Sequence, residues 1–290
     1  MIGVAAVVIF YNPDFSVLDN LKTYAFQVDK IFVVDNSDTI NVRLINKIKL
    51  MTNVEYFCNY SNLGIAAALN IGAREAINEG FKYLLTMDQD SKCVSDMVEN
   101  LLRVMKSSSQ VGIVAPEYIH PNGGKKINKS KFNINSKEIL YTITSCNLLS
   151  LIAFQNIGGF LEKLFIDHVD HEYCLRLNKN GYKVIITNTT YAFHKIGNTE
   201  IKNFFGFSLS PSFHPSLRLY YRTRNRLFVD RIYKNTYPEY VKEDRRHFFR
   251  EMVEVILFEK DLLNKIKMVL KGYIHFKKNI MGKYPENLLR

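Results

Sequence analysis

The sequence predicts an α/β fold with a mostly parallel central sheet flanked by helices, on three observations. Strand-like and helix-like segments alternate from Gly3 to Ala115. The strand segments are continuous apolar runs, the pattern of strands covered on both faces. Several of these runs end abruptly in polar or acidic residues, and in open α/β sheets ligands bind beyond the carboxyl ends of the strands.

Gly3 to Phe10 reads as a buried strand closed by the turn signal Asn12-Pro13-Asp14. It lacks the basic flank and small-residue cleavage site of a signal peptide, so it is taken as a strand. Val17, Leu18, Leu21, Tyr24 and Ala25 recur at three- and four-residue spacing and predict a helix. Ile31 to Val34 is a second buried strand, ending in Asp35-Asn36-Ser37-Asp38. Asp35 stands where dinucleotide-binding folds place an acid on a ribose. The chain has no GxGxxG or GxxxxGK[ST], however, so a plain turn carboxylate stays open. After a further helix and a short strand at Val54 to Phe57, Asn62-Leu63-Gly64 opens a small-residue helix over Ile65 to Arg74. The N-terminus of such a helix is a ready anion site, unless Asn62 is simply its N-cap.

Tyr83 to Met87 is the strand that delivers Asp88-Gln89-Asp90-Ser91. Two carboxylates one residue apart at a strand end are hard oxygen ligands suited to Mg²⁺ or Mn²⁺ shared with substrate phosphates. The plainer alternative makes Asp90 or Ser91 the N-cap of a following helix. Cys93 to Lys106 is expected as an amphipathic helix and Val111 to Ala115 as a strand. Residues 117–138 form a long irregular region, Tyr141 to Asn147 resumes strand character, and Gly158-Gly159-Phe160 is a turn.

A second acidic cluster, Asp167-His168-Val169-Asp170-His171-Glu172, runs into a helix with Asp170 in its first turn, where the helix dipole favours a carboxylate. Gly181 ends that helix. Lys183 to Ile186 and Tyr191 to Phe193 are expected as two strands, and His194 follows as a structural histidine or a third metal ligand.

The 290 residues are divided at residue 200 into an α/β domain and a helical region. Cys58, Cys93, Cys146 and Cys174 form no CxxC pair, which suits reduced thiols in a cytosolic protein. The net charge of +11 is uneven, since residues 201–290 carry 19 Lys and Arg against 9 Asp and Glu. That excess points to an acidic partner. Tyr220 to Arg226 lies on a predicted helix, and Tyr240 to Phe276 is a second helical stretch that is either a cap or an interfacial membrane helix. No run is long enough to span a bilayer.

The ordered series Ile9-Phe10-Tyr11-Asn12, Val34-Asp35-Asn36-Ser37, Asn62-Leu63-Gly64, Asp88-Gln89-Asp90, Gly158-Gly159-Phe160, Asp170-His171-Glu172 and His194 resembles family 2 glycosyltransferases, most of all the bacterial rhamnosyltransferase branch. The resemblance covers about residues 3–230. It implies a GT-A fold, a nucleotide-sugar donor with dTDP-rhamnose favoured, a divalent cation and inversion at the anomeric carbon. By the same resemblance Asp35 holds the nucleoside in a pocket lined by Phe10 and Asn12. Asn62, Gly64, Asp88 and Gln89 join the nucleotide-sugar site, and Asp88, Asp90 and His194 hold the metal. Asp170 is the expected base, with Asp167 as rival. Glu172, Arg222 and Arg224 are expected near the acceptor, a glycan on a polyprenyl diphosphate. The expected place of action is the cytoplasmic face of the bacterial membrane, reached peripherally across an anionic lipid surface.

Two acidic clusters match this chemistry, one for the diphosphate and one for the acceptor hydroxyl. A galactofuranosyl- or other hexosyltransferase using a UDP-sugar is an alternative on the same fold. A non-catalytic nucleic-acid-binding protein leaves both clusters unexplained, so no nucleic-acid partner is expected.

Overall fold

The computed structural model describes residues 3–119, 136–193 and 213–285, together with the backbone of 202–204 and 207–209. The chain forms two compact units, residues 1–162 with 169–195 and residues 163–168 with 196–290. The short segment 163–168 thus belongs with the C-terminal helices, an assignment a single cut at residue 200 does not anticipate.

The first unit is built on one mixed sheet. Its opening half alternates strand and helix: β1 (Val4–Phe10), α1 (Val17–Ala25), β2 (Lys30–Asp35), α2 (Val42–Ile48), β3 (Val54–Cys58), α3 (Ile65–Asn78) and β4 (Tyr83–Asp88). The strands lie in the order β3-β2-β1-β4, all parallel. Every residue of β1 is buried, because helices cover both of its faces. On one face Val4, Ala6, Val8 and Phe10 pack with Leu21 and Tyr24 of α1 and Leu101. On the other, α3 approaches so closely that a Cβ at Gly72 would stand 2.2 Å from Val7 Cγ2. The small residues of α3 are what permit that approach.

The second half of the sheet adds β5 (Lys92–Cys93), α4 (Met97–Met105), β6 (Val111–Ile119), β7 (Ser136–Ile139), β8 (Asn147–Ser150), α5 (Leu151–Ile157), α6 (Val169–Lys179) and β9 (Lys183–Phe193). Here β8 runs antiparallel between β4 and β6, β9 is parallel to β6, and β5 and β7 pair antiparallel with β9. The parallel character is therefore concentrated in the first four strands.

Three local expectations change. The helix expected from Cys93 begins only at Met97, after the short strand β5, so neither Asp90 nor Ser91 caps it. Tyr141 to Cys146 is irregular, held by side chains: Thr86 Oγ1 donates to the Thr144 carbonyl, Asn147 Nδ2 to that of Ile143, and Cys146 has φ +64°. The two strands expected after Gly181 are one, with the β6 ladder passing from Thr187 directly to Tyr191 opposite Pro116-Glu117. Proline has no N–H for a ladder bond, and the shift lets the intervening residues bulge.

Among the described residues the second unit holds a β10–β11 hairpin (Lys202–Phe204, Phe207–Leu209) and the helices α7 (Ser216–Tyr233), α8 (Pro238–Phe258) and α9 (Leu262–Lys277). The single helical stretch expected from Tyr240 to Phe276 breaks where Glu259 is extended and Asp261 adopts φ +62°. No helix among the described residues is long and apolar enough to cross a membrane. All four cysteines are free thiols.

Candidate active site

The strand register brings the first set of site residues together. Asp35 pairs across the ladder with Phe10, and Asp88 with Ile9. The two acids thus end the strands on either side of β1, level within one residue. With two inter-strand spacings between them, their backbones stand about 10 Å apart. The chain order reverses about β1, so the crevice lies at a topological switch point.

At the β4 end, Asp88 is half-buried and Asp90 is exposed in the turn. The Asp88 amide donates to Ser145 Oγ at 3.2 Å, Ser145 Oγ donates to Ser91 Oγ at 2.7 Å, and the Ser91 amide donates to the Asp88 carbonyl at 3.2 Å. Gln89 is committed to backbone: its Oε1 accepts from the Tyr11 amide at 2.8 Å and its Nε2 donates to the Tyr11 carbonyl. Gln89 is thus a clamp on the β1–α1 loop. Asp88 and Asp90 remain a carboxylate pair on a rigid turn, a donor set that fits a hard divalent cation. His194 lies outside the described residues.

Other residues sit elsewhere than the sequence suggested. Phe10 is completely buried in the core, its side chain on the same face of β1 as Val8 and packed with Leu21 of α1, and not at an open pocket wall as the sequence suggested. Asn12 is exposed in the left-handed region at φ +48°, its amide donating to Ser37 Oγ at 2.7 Å. Asp35 is completely buried, with Oδ1 accepting from the Ser37 amide at 2.9 Å and Oδ2 from the Tyr56 hydroxyl at 2.7 Å. Burial and then the Asp35 carboxylate push the Tyr56 phenol far up, which keeps it a donor. Asp35 therefore stands beneath the crevice and orders its floor. Asn62 Oδ1 accepts from the Gly64 amide at 2.9 Å, and Gly64, at φ +88°, is the N-cap of α3. Exposed rings at Tyr11 and Tyr60 flank this end of the sheet.

The second acidic cluster is divided between the two units. In the first unit, Asp170 opens α6 and lines a small pocket, with room for about one water, together with Thr86, Asn147, Phe160, Tyr173 and Cys174. Its Oδ1 accepts from the His171 amide at 2.9 Å. Burial pushes the Cys174 thiol up to about 12, so the sulfur is no competing nucleophile. Glu172 is buried and paired with Arg176 through two 3.0 Å hydrogen bonds. Arg176 also donates to the carbonyls of Ile157, Gly158 and Gly159. Glu172 is thus a structural anchor of the glycine turn and has no place at an acceptor.

In the second unit, Asp167 is engaged by Arg218 at 3.2 Å, and Asn225 Nδ2 donates to the carbonyls of Leu164, Ile166 and Asp167. These bonds hold Phe165, Asp167 and His168 at positive φ. Arg224 cannot meet an acceptor. Its side chain is completely buried, donating to the Tyr220 hydroxyl, Asn225 Oδ1 and the carbonyls of Leu164 and Gly282, and it lies against the Tyr220 and Tyr221 rings. A guanidinium removed from water needs such a shell of acceptors. Arg222 is partly exposed and paired with Glu251 at 2.6 Å.

Residues the sequence reading missed include Tyr56, Ser145, Arg176, Arg218 and His214. Tyr56 meets Asp35 from 21 positions away, Ser145 meets Asp88 from 57, Arg176 meets Glu172 from 4 and Arg218 meets Asp167 from 51. Arg218 and Arg222, four apart, share one side of α7, while His214 precedes the helix, just before its N-cap Pro215. Burial, then Arg218 and Arg222, depress the His214 imidazole to about 4. The unfolded chain binds a proton there that the folded chain rejects, so stability should rise with pH between about 4 and 6.5. Urea unfolding at several pH values across that window checks it, and His214→Gln should flatten the slope.

Residues 6–165 match the sequence family described as glycosyl transferase family 2. The chain is 30% identical over 249 residues to the dTDP-rhamnosyl transferase RfbF of Shigella flexneri, covering 81% of this chain and 82% of that one. Among solved structures, it is similar to GalNAc-T7 with UDP, GalNAc and Mn²⁺ at a TM-score of 0.63 and 14% identity, over 96% of this chain and 56% of that one. The likeness to residues 1–349 of S. aureus TarS has a TM-score of 0.56 at 13% identity, covering 94% of this chain and 72% of that one.

Proposed function

The chain belongs to glycosyl transferase family 2, and from that membership we propose that it transfers L-rhamnose from dTDP-β-L-rhamnose, with inversion, onto a hydroxyl of a glycan acceptor. It is a glycosyltransferase with the GT-A fold. The observation that carries the rhamnosyl reading is the similarity to the Shigella dTDP-rhamnosyl transferase over four-fifths of the chain.

Asp88 and Asp90 would hold Mg²⁺ or Mn²⁺, with His194 as the sequence-proposed third ligand, and the Mn²⁺ in the GalNAc-T7 structure accords with a divalent ion. Such an ion supplies charge neutralisation to the departing diphosphate. The chain's own residues do the rest. Ser145 and Ser91 fix the turn that presents the two carboxylates. Gln89 fixes the β1–α1 loop beside the donor, and Asn12, Asn62 and Gly64 border the same end of the sheet. Asp35 orders Ser37 and Tyr56 under the nucleoside.

Asp170 is the base that takes the acceptor hydroxyl's proton. Its support is that it stands in the first turn of α6 at the edge of a small, partly open pocket, whereas Asp167 is engaged by Arg218. Arg222, partly exposed and paired with Glu251, would exchange that partner for the diphosphate of a polyprenyl-linked acceptor. The test is nucleotide release from a panel of nucleotide sugars with Mg²⁺ or Mn²⁺. Turnover of dTDP-rhamnose should exceed that of every UDP-sugar, and preferential use of UDP-galactofuranose would overturn the donor.

A further inference from the structure

The basic excess of the C-terminal region has a definite place on α9. One side of this helix is packed, with Lys265, Met268 and Gly272 buried. At Gly272 a Cβ would stand 2.6 Å from the Tyr220 carbonyl oxygen, so α9 meets α7 backbone to backbone. The other side carries Leu263, Ile266, Leu270, Tyr273 and Ile274, each between 42% and 85% exposed. At 100° per residue these five fall within an arc about 100° wide. Lys267 and Lys278 are exposed along one border of that arc. From Asp261 to Glu286 the sequence holds six lysines and no intervening carboxylate.

We propose that this face of α9 lies on an anionic bilayer surface, with its apolar side chains at the headgroup boundary and its lysines reaching lipid phosphates. The charge decides the occupant. A second copy of the same face would bring unshielded lysines together, whereas anionic lipid complements them. On α8 the Phe248 ring is covered by the Arg226 guanidinium, 4.2 Å from its centre. The inference rests on the transfer reading only for why the enzyme would need lipid. Binding itself requires neither donor nor acceptor.

Co-sedimentation of the full chain with vesicles tests it, using phosphatidylcholine alone and phosphatidylcholine mixed with phosphatidylglycerol. Binding to the mixed vesicles should be strong, weaken as salt rises and be much lower on the neutral ones. Ile266→Glu with Leu270→Glu, and separately Lys267→Glu with Lys278→Glu, should each lower partitioning by about tenfold or more. All four side chains are exposed or border the exposed arc, so the thermal unfolding midpoint should not move. Equal binding to both vesicles, or binding to neither, would overturn the proposal. So would a dimer in light scattering that Leu270→Glu dissolves. Intact vesicle binding by protein that turns over no donor would support this proposal and count against the transfer reading alone.

Discussion

Asp170→Asn should lower turnover by roughly 10²–10⁴-fold, the usual contribution of general base catalysis, while donor affinity stays close to that of the parent. The amide keeps the size of the carboxylate and can still accept from the His171 amide. It cannot take up a proton from the acceptor hydroxyl. Steady-state kinetics with a fixed donor, alongside nucleotide binding by calorimetry, separates the two effects. Asp167→Asn is the necessary companion. It releases Arg218 from an ion pair in the second unit and should act on stability more than on the chemical step. If Asp167→Asn lost turnover while Asp170→Asn kept it, the base would have to be reassigned.

The second large effect is expected at the β4 turn. Asp90→Ala removes one of two adjacent oxygen donors and leaves the fold intact, because Asp90 is exposed and the turn is held by Ser145, Ser91 and Gln89. Loss of a metal's stabilisation of the leaving diphosphate is worth several kcal/mol, so turnover should fall by at least about 10²-fold. Excess EDTA should do the same to the parent protein, and added Mn²⁺ or Mg²⁺ should restore the parent but not Asp90→Ala. Direct titration of Mn²⁺ by electron paramagnetic resonance gives a readout independent of activity. Full turnover in Asp90→Ala, or in EDTA, would remove the metal from the reading.

What the sequence determined by itself follows from local patterning. Continuous apolar runs ending in Asp35 and Asp88 define the parallel strands, since a strand buried on both faces has no polar positions until it leaves the sheet. The helix over Asp170 and the small-residue helix after Gly64 were equally legible, because helical periodicity and caps are short-range signals. The family resemblance rests on these strand ends together with the Gly158-Gly159-Phe160 turn and the start of the Asp170 helix.

What only the tertiary structure decided concerns residues whose environment is made by distant chain. Arg222 and Arg224 lie two positions apart on α7 and looked alike in sequence. Helix geometry places side chains two apart on different sides, so one is partly exposed beside Glu251 and the other is completely buried. Glu172 and Asp170, also two apart, separate in the same way, one buried against Arg176 and one at the edge of a small pocket. Asp167 carries on its carboxylate the guanidinium of Arg218, 51 positions away. Periodicity marks which residues share a face; whether that face meets solvent, a cation or the core is set by packing between segments far apart in the chain.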